Sequence, residues 1–304
     1  MMKLKEVFCP SLLVSESFYP LLTKEEELYD TVRKILLENY YSRIETGSLK
    51  NPEIRKKFIE LVKELHIGFT QWITNDIKEK KLNPSTTDDK IRKKTILEIN
   101  NLIDIAAESG ADRVAMISGP DPGEQYRKEA MKGIEEVLFA VSEKMAEYPG
   151  MILLLEPLDR GAHKNNLIGP STEAADLMKK VNGHYKNCYL SWDSAHVALN
   201  KEDLRESLEI CAPYIGHLHL ANAILDPKKE GYGDWHMAMG EPGFLDIAKG
   251  QEILKDAAQV IAKPQGIGVA VESRCQTGQD PLKNEKVCRG FLTKILEGEC
   301  NEDQ

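Results

Sequence analysis

Short apolar runs alternate along this chain with longer stretches in which apolar residues recur every three or four positions. Eight runs read as strands, at 5–9, 41–46, 67–73, 113–118, 151–157, 188–194, 215–221 and 267–273. Each is brief, rich in aliphatic or aromatic residues and bounded by turn residues, as a strand buried on both faces should be. The stretches between them read as helices. Asn51-Pro52-Glu53 supplies a cap, a proline at the first helical position and an acid in the first turn; Ile54, Phe58, Leu61, Val62 and Leu65 then line one face. Asn200 is expected to cap a helix carrying Leu204, Leu208 and Cys211, and segments 91–108, 124–147, 172–181, 247–261 and 282–296 follow the same pattern.

Eight successive βα units predict a parallel sheet, and closing it into a (β/α)8 TIM barrel removes both sheet edges. The fold class is therefore α/β, and the 304 residues suit one barrel of about 250 residues plus long loops. An open doubly wound sheet is the alternative, but no Gly-x-Gly-x-x-Gly turn follows the first strand. No linker or low-complexity tract divides the chain, so residues 1–298 are expected to form one domain, with 299–304 an acidic, frayed tail. One loop is out of proportion: more than twenty residues, ILDPKKEGYGDWHMAMGEPGF, follow the seventh strand. In a compact domain such loops are usually functional, and this one falls on the catalytic face of a barrel.

Composition changes this picture little. The chain is 41% hydrophobic and 29% charged, with a net charge of −9, and an acidic surface argues against nucleic acid as partner. The N-terminal segment lacks the apolar core of a secretory signal, and no apolar run is long enough to span a membrane. A cytoplasmic protein is expected, and its six cysteines, none in Cys-x-x-Cys spacing, read as free thiols.

Candidate chemistry sits at the ends of four successive strands. MILLLEP ends at Glu156, CYLSWDS at Asp193, IGHLHLAN carries His217 and His219, and IGVAVES ends at Glu272. Residues two apart in a strand share a face, so His217 aims with His219, and Glu272 with Arg274. Three carboxylates converging in a partly dry barrel mouth repel one another unless a cation sits between them. Glu156, Asp193, His219 and Glu272 are thus candidate ligands for one divalent metal. Mostly hard oxygen donors with one imidazole favour Mn2+, with Mg2+, Co2+ or Zn2+ as alternatives. His217 reads as a packed, hydrogen-bonded residue of the barrel interior, and the lysines of 78–81 as a solvated helix face.

With these motifs in order, LLLEP, SWDSAH, HLHLAN, GDWHMAMGEPGF and AVESR, the chain resembles the xylose-isomerase-like, or sugar phosphate isomerase/epimerase, TIM barrels. The resemblance covers residues 113–275 well; the first hundred residues match in strand count and in RIETG, whose Glu45 falls where the family often has an acid. It implies a metal on Glu156, Asp193, His219 and Glu272. It implies that Glu156 and Glu272 flank the reacting carbon of a keto-sugar, one removing a proton beside the carbonyl and the other returning one. His196 and Arg274 are implied to touch substrate, with Glu45, Asp234, Trp235 and His236 as further candidate contacts. By the same analogy, a homo-oligomer is expected.

Two related groups are weighed against this reading. Barrels that cleave 3-keto C-glycosides by elimination work with a small partner subunit, and His163, in EPLDRGAHK, is the candidate base for such a lyase. In the AP endonucleases, residues matching His196, Asp234 and His236 hold one of three zinc ions. The histidines that those enzymes draw from their third and fourth strands are missing from GFTQWIT and RVAMISG. A barrel that binds metal and sugar without turnover is the non-enzymatic alternative.

Overall fold

Eight parallel strands hydrogen-bond in sequence order and close into a barrel. They are β1 (Phe8–Leu13), β2 (Arg43–Gly47), β3 (Gly68–Trp72), β4 (Arg113–Ile117), β5 (Ile152–Glu156), β6 (Cys188–Asp193), β7 (Ile215–Ala221) and β8 (Ile267–Glu272), and β8 pairs back onto β1. The computed structural model describes residues 2–262 and 266–300. Outside the barrel lie α1 (Glu25–Leu36), α2 (Pro52–Leu65), α3 (Asp89–Glu108), α4 (Arg127–Met145), α5 (Ser171–Asn182), α6 (Leu204–Cys211), α7 (Ile247–Val260) and α8 (Pro281–Leu296). The expected α/β barrel is thus the observed one, and no described helix is long and apolar enough to cross a membrane.

Strand parity divides the core in two. Outward residues such as Ile44, Phe69, Val114, Leu153, Leu155, Leu218 and Val269 are buried with the helix faces in one continuous apolar cluster. Inward residues build a smaller and more polar interior, in which Leu13, Trp72, Ala115, Leu154 and Ala270 form a separate apolar group. Lower in the barrel Arg43 meets Asp112 at 2.6 Å, and Arg113 donates to the carbonyl of Gly216 at 2.9 Å. The buried Arg43 is tolerated there because both its terminal nitrogens find partners, in Asp112 and Thr70, although its Nε has none.

Asn51 caps α2 as expected, accepting from the Glu53 amide at 2.9 Å. Three local expectations are corrected. The first strand is not 5–9: Leu4–Val7 is a helical turn and the strand runs from Phe8 to Leu13. Leu4 and Val7 are buried by that turn, and pairing of Ser11, Leu12 and Leu13 with Arg43, Ile44 and Glu45 sets the strand's position. Asn200 does not cap α6; that role falls to Asp203, which accepts from the Glu206 amide. Asp193 opens a short helix, Ser194–Leu199, directly after β6, and Asn200 closes it. In the tail, Glu299–Cys300 pairs antiparallel with Met2–Lys3 beside the barrel, while 301–304 lie outside the described residues.

Cys9, Cys188, Cys211, Cys275 and Cys288 are free thiols, and the Cys300 side chain lies outside the described residues. Burial pushes the thiols of Cys188, Cys211 and Cys288 up to about 12. Since the thiolate is the nucleophile, these three should resist alkylation by iodoacetamide at pH 8 in the native protein and react once denatured. Mass spectrometry of tryptic peptides checks this, and native labelling of all three would contradict the packing.

Candidate metal centre and active site

Inward parity places Glu156, Asp193, His219 and Glu272 together at the C-terminal mouth of the barrel. Asp193 stands opposite His219 in the β6–β7 register, and Ala221 opposite Glu272 in the next. One donor atom from each of the four lies within 4.8 Å of the others, and all four residues are buried. His219 Nδ1 faces Glu156 Oε1 at 3.1 Å and Glu272 Oε2 at 2.9 Å. Asp193 divides its labour: Oδ1 accepts from the His196 amide at 2.9 Å as the cap of its short helix, while Oδ2 is buried without a hydrogen-bond partner. Glu156 Oε1 and His219 Nδ1 are likewise without one. Three unpartnered buried donors aimed at one point, two of them carboxylate oxygens, fit a bound cation.

Behind this set lies a carboxylate that the sequence reading assigned to substrate. Glu45 is fully buried, with Oε1 taking Ser11 Oγ and His217 Nε2 at 2.7 Å each, and Oε2 taking Trp72 Nε1 at 2.9 Å and His219 Nε2 at 3.0 Å. It does not line the pocket; it positions His219. By holding Nε2–H, Glu45 turns Nδ1 toward the cluster, the arrangement by which an outer carboxylate orients a metal-binding imidazole. Burial works to raise the Glu45 carboxyl, but His217 and His219 hold it well below the usual range. Burial pushes His217 down to about 4 despite Glu45, so it is the neutral, packed histidine expected. His219 moves the other way: burial opposes its charge, but Glu45, Glu156 and Glu272 raise it well above the ordinary histidine value. Asp193 is pushed up to about 7 by burial, against the pull of His196 and with Glu272 and Glu156 adding to the rise. Without a metal the four ligands can coexist only by holding protons.

A cavity of about 110 Å³ opens above the cluster, with Glu156, His196, His219, His236, Glu272 and Arg274 in its wall. His196 and Arg274, expected to touch substrate, are thus part of the cavity wall. Asp234 is buried, with Oδ2 3.1 Å from His236 Nε2, 3.6 Å from His196 Nε2 and 3.0 Å from the Lys164 ammonium. Those two histidines and the lysine hold its carboxyl far below the usual range although burial opposes them. The Lys164 ammonium thus lies against two members of the His196–Asp234–His236 group, Asp234 and His236. His236 also contacts Glu16 Oε2 at 2.8 Å, and Arg274 grips both oxygens of Glu16, at 2.6 and 3.0 Å.

Glu45, Asp193 and Asp234 are buried around the pocket without lining it, and two further candidates turn away from it. His163 packs its ring against Trp235, 4.2 Å between centroids, and neither lines the cavity. Trp235 is 57% exposed and donates to the Tyr232 carbonyl. The left-handed backbone at His236 (φ 51°) turns the loop so that His236 enters the site while Trp235 leaves it. A lyase base at His163 is thereby not placed near the carboxylates. Residues missed by sequence reasoning are Glu16, Lys78 and Lys164, all in the pocket wall. Lys164 arrives because Asp159 Oδ1 accepts from the amides of Ala162, His163 and Lys164, folding the loop after β5. The loop after β7 is held by Asn222, which bonds Ala238, Gly240 and Leu245; a Cβ on Gly243 would strike its amide at 2.2 Å.

A family model described as xylose isomerase-like TIM barrel matches residues 39–285. The chain belongs to this family. No curated protein matches it in sequence. Among solved structures, this xylose isomerase-like barrel is similar to D-psicose 3-epimerase with D-tagatose from Clostridium cellulolyticum H10, with 18% identity, TM-score 0.64 and coverage of 95% of this chain and 94% of that one. It is similar to 3-keto-D-glucoside 4-epimerase, YcjR, from E. coli, at 17% identity, TM-score 0.63 and coverage of 86% and 92%. It is also similar to the IolI protein with a bound zinc atom, at 16% identity, TM-score 0.69 and coverage of 95% and 98%.

Removing the Glu45 carboxylate charge should loosen His219 without emptying the mouth. Glu45→Gln is expected to weaken Mn2+ binding about 10–100-fold, the usual cost of losing an outer-shell partner, with the far-UV circular dichroism unchanged. In the wild type, Mn2+ uptake should release protons and tighten as pH rises from 6 to 8, because His219 and Asp193 must shed protons to coordinate. Titration calorimetry in buffers of different ionisation enthalpy reads both effects.

Proposed function

We propose that this chain is a sugar isomerase or epimerase that uses one divalent metal ion to act on a keto-sugar or polyol derivative. The observation that carries the reading is the placement of two glutamates, Glu156 and Glu272, at 3.1 and 2.9 Å from His219 Nδ1 in the wall of one pocket. They come from β5 and β8, separated by two strands around the rim, so they approach a bound molecule from two directions. The related structures support the same reading: one is a D-psicose 3-epimerase and another a 3-keto-D-glucoside 4-epimerase.

Glu156, Asp193, His219 and Glu272 would hold the metal, and their hard donor set favours Mn2+, with Mg2+, Co2+ or Zn2+ also accommodated. When bound, the ion supplies Lewis acidity that lowers the cost of negative charge on the substrate's carbonyl oxygen. Removal of the proton on the carbon beside that carbonyl falls to one glutamate carboxylate; the other returns a proton to the carbon skeleton. Glu272 suits the role of a base that stays ionised: burial would raise its carboxyl, but His236 and His219 hold it low. His236 steadies its second oxygen, with Nε2 3.4 Å from Oε1. Buried His196 and half-buried Arg274 would hold substrate hydroxyls in register with the two carboxylates. The enclosing wall of Trp72, Ile117 and Leu158 keeps bulk water from the reacting carbon.

Glu156→Gln and Glu272→Gln should each lower exchange of a substrate C–H proton with deuterated water by about 10²–10⁴-fold, the scale of general acid–base help. Proton NMR of the manganese-loaded protein across a set of ketohexoses reads it. Retained exchange in both variants would remove the two glutamates from the reaction, whereas a wild type that binds sugar without exchange favours a barrel that binds without turnover. Asp193→Ala should abolish stoichiometric metal in elemental analysis; equal manganese in wild type and variant would remove the metal centre from the reading.

A further inference from the structure

The pocket wall carries three cations, and one of them is left without a carboxylate partner. Lys78, Lys164 and Arg274 all line it. Lys164 is neutralised in place by Asp234, and Arg274 by Glu16. Lys78 has no such partner; among the described residues it takes part in neither an ion pair nor a side-chain hydrogen bond. Lys78 is exposed at the rim of the pocket, and partial loss of hydration there, with repulsion from Lys164 and Arg274, draws its ammonium below the ordinary lysine value, while Glu156 and Glu16 pull the other way. Both of those acids are already engaged, Glu156 in the metal set and Glu16 by Arg274.

A second observation points to the same spot. Thr74 lines the pocket one helical turn before Lys78, on the short helix Thr74–Glu79, and residues four apart share a helix face. Its hydroxyl Oγ1 is shut off from solvent and has no hydrogen-bond partner. A buried hydroxyl left unpaired costs free energy, and an ammonium drawn toward two other cations does too. One anionic acceptor lying between them would satisfy both.

Resting on the keto-sugar reading above, we propose that the substrate is an acidic sugar, a keto-sugar whose carboxylate is bound by Lys78 and Thr74 while its carbonyl end lies over Glu156 and Glu272. The cavity of about 110 Å³ holds one small molecule, so the anion and the reacting carbonyl belong to the same one. The wider cleft next door shares Gly47 and Asn75 with the pocket but is lined by Glu25, Glu26, Asp76 and Glu79, which repel an anion and keep it on Lys78. A single ammonium with one hydroxyl matches a planar monoanion through charge-assisted hydrogen bonds. A phosphate dianion is better served by several backbone amides at a helix or glycine-rich turn.

Titration calorimetry on the manganese-loaded protein tests this with D-fructose, D-tagatose and D-psicose, each beside its C6-carboxylate counterpart and its 6-phosphate. The carboxylate of the preferred stereoisomer should bind about tenfold tighter than the neutral sugar at low salt, and the ratio should shrink at high salt. Lys78→Gln should bring that ratio to about one, and Thr74→Val should lower it part of the way. Equal affinity for neutral and acidic forms in the wild type, or a ratio unmoved by Lys78→Gln, overturns the acidic-sugar proposal while the keto-sugar reading stands. Tightest binding of a 6-phosphate overturns the carboxylate assignment. Binding of no member of the set overturns the keto-sugar reading and this proposal with it.

Discussion

Three buried carboxylates and an imidazole held within 4.8 Å of one another are the constraint to which the rest of this molecule answers. Removing such charges from water is affordable only where a counter-charge replaces the lost hydration. Protons on His219 and Asp193 can serve for a time, but the unpartnered lone pairs of Glu156 and Asp193 ask for a cation at the centre. Closure of the sheet is what makes the convergence geometrically simple. Strands that are neighbours in sequence are neighbours around the rim, and period-two alternation aims every second side chain at the axis. Glu45 completes the arrangement from below, fixing which nitrogen of His219 faces the cluster.

Around that centre lies a second ring of charge drawn from loops rather than strands. Asp234 is shared among His196, His236 and Lys164; Glu16 is shared between His236 and Arg274. His236 links the two groups and reaches Glu272 as well, so the second ring is mechanically joined to the first. Two of the contributing loops are themselves pinned by a polar side chain bonding to backbone: Asp159 after β5 and Asn222 after β7. The site is therefore a set of loops held at fixed lengths over a rigid floor. That is how a fold with one architecture supports many specificities.

How much of this could be read from the sequence follows from where each residue sits. Glu156, Asp193, His219 and Glu272 end strongly apolar strands, so an acid or imidazole there is conspicuous, and register alone brings Asp193 beside His219. Glu45 was visible as a polar residue in a strand, but its partners lie 172 and 174 positions away, and no local pattern says that it faces two histidines instead of a ligand. Glu16 stands on a four-residue helix too short to show a period. Lys78 looked like part of a solvated lysine run because the short helix that turns it into the pocket begins directly at the end of β3. Trp235 and His163 were drawn in by their neighbours in sequence, yet the backbone turn at His236 sends adjacent side chains to opposite sides. The opening strand was misplaced for a related reason: Leu4 and Val7 are as apolar as a strand, and only pairing with β2 and β8 decides where extension begins.

The same alternation that builds the site also protects the fold from it. Outward apolar positions of the strands join the helices in one large cluster, whereas inward positions above the barrel's middle carry the buried Glu45, Glu156, Asp193 and Glu272. Hydrophobic burial, the dominant favourable contribution to stability, is thus concentrated on the side of the sheet where no chemistry is placed. Between the two stands Trp72, whose ring packs in the inner apolar group and beside His219 while its Nε1 donates to Glu45. One side chain so divides the dry half of the barrel from its charged mouth. The electrostatic demands of the four ligands fall on their polar partners and on the cation their unpartnered atoms fit, leaving the helical shell free to supply the packing that keeps eight strands closed.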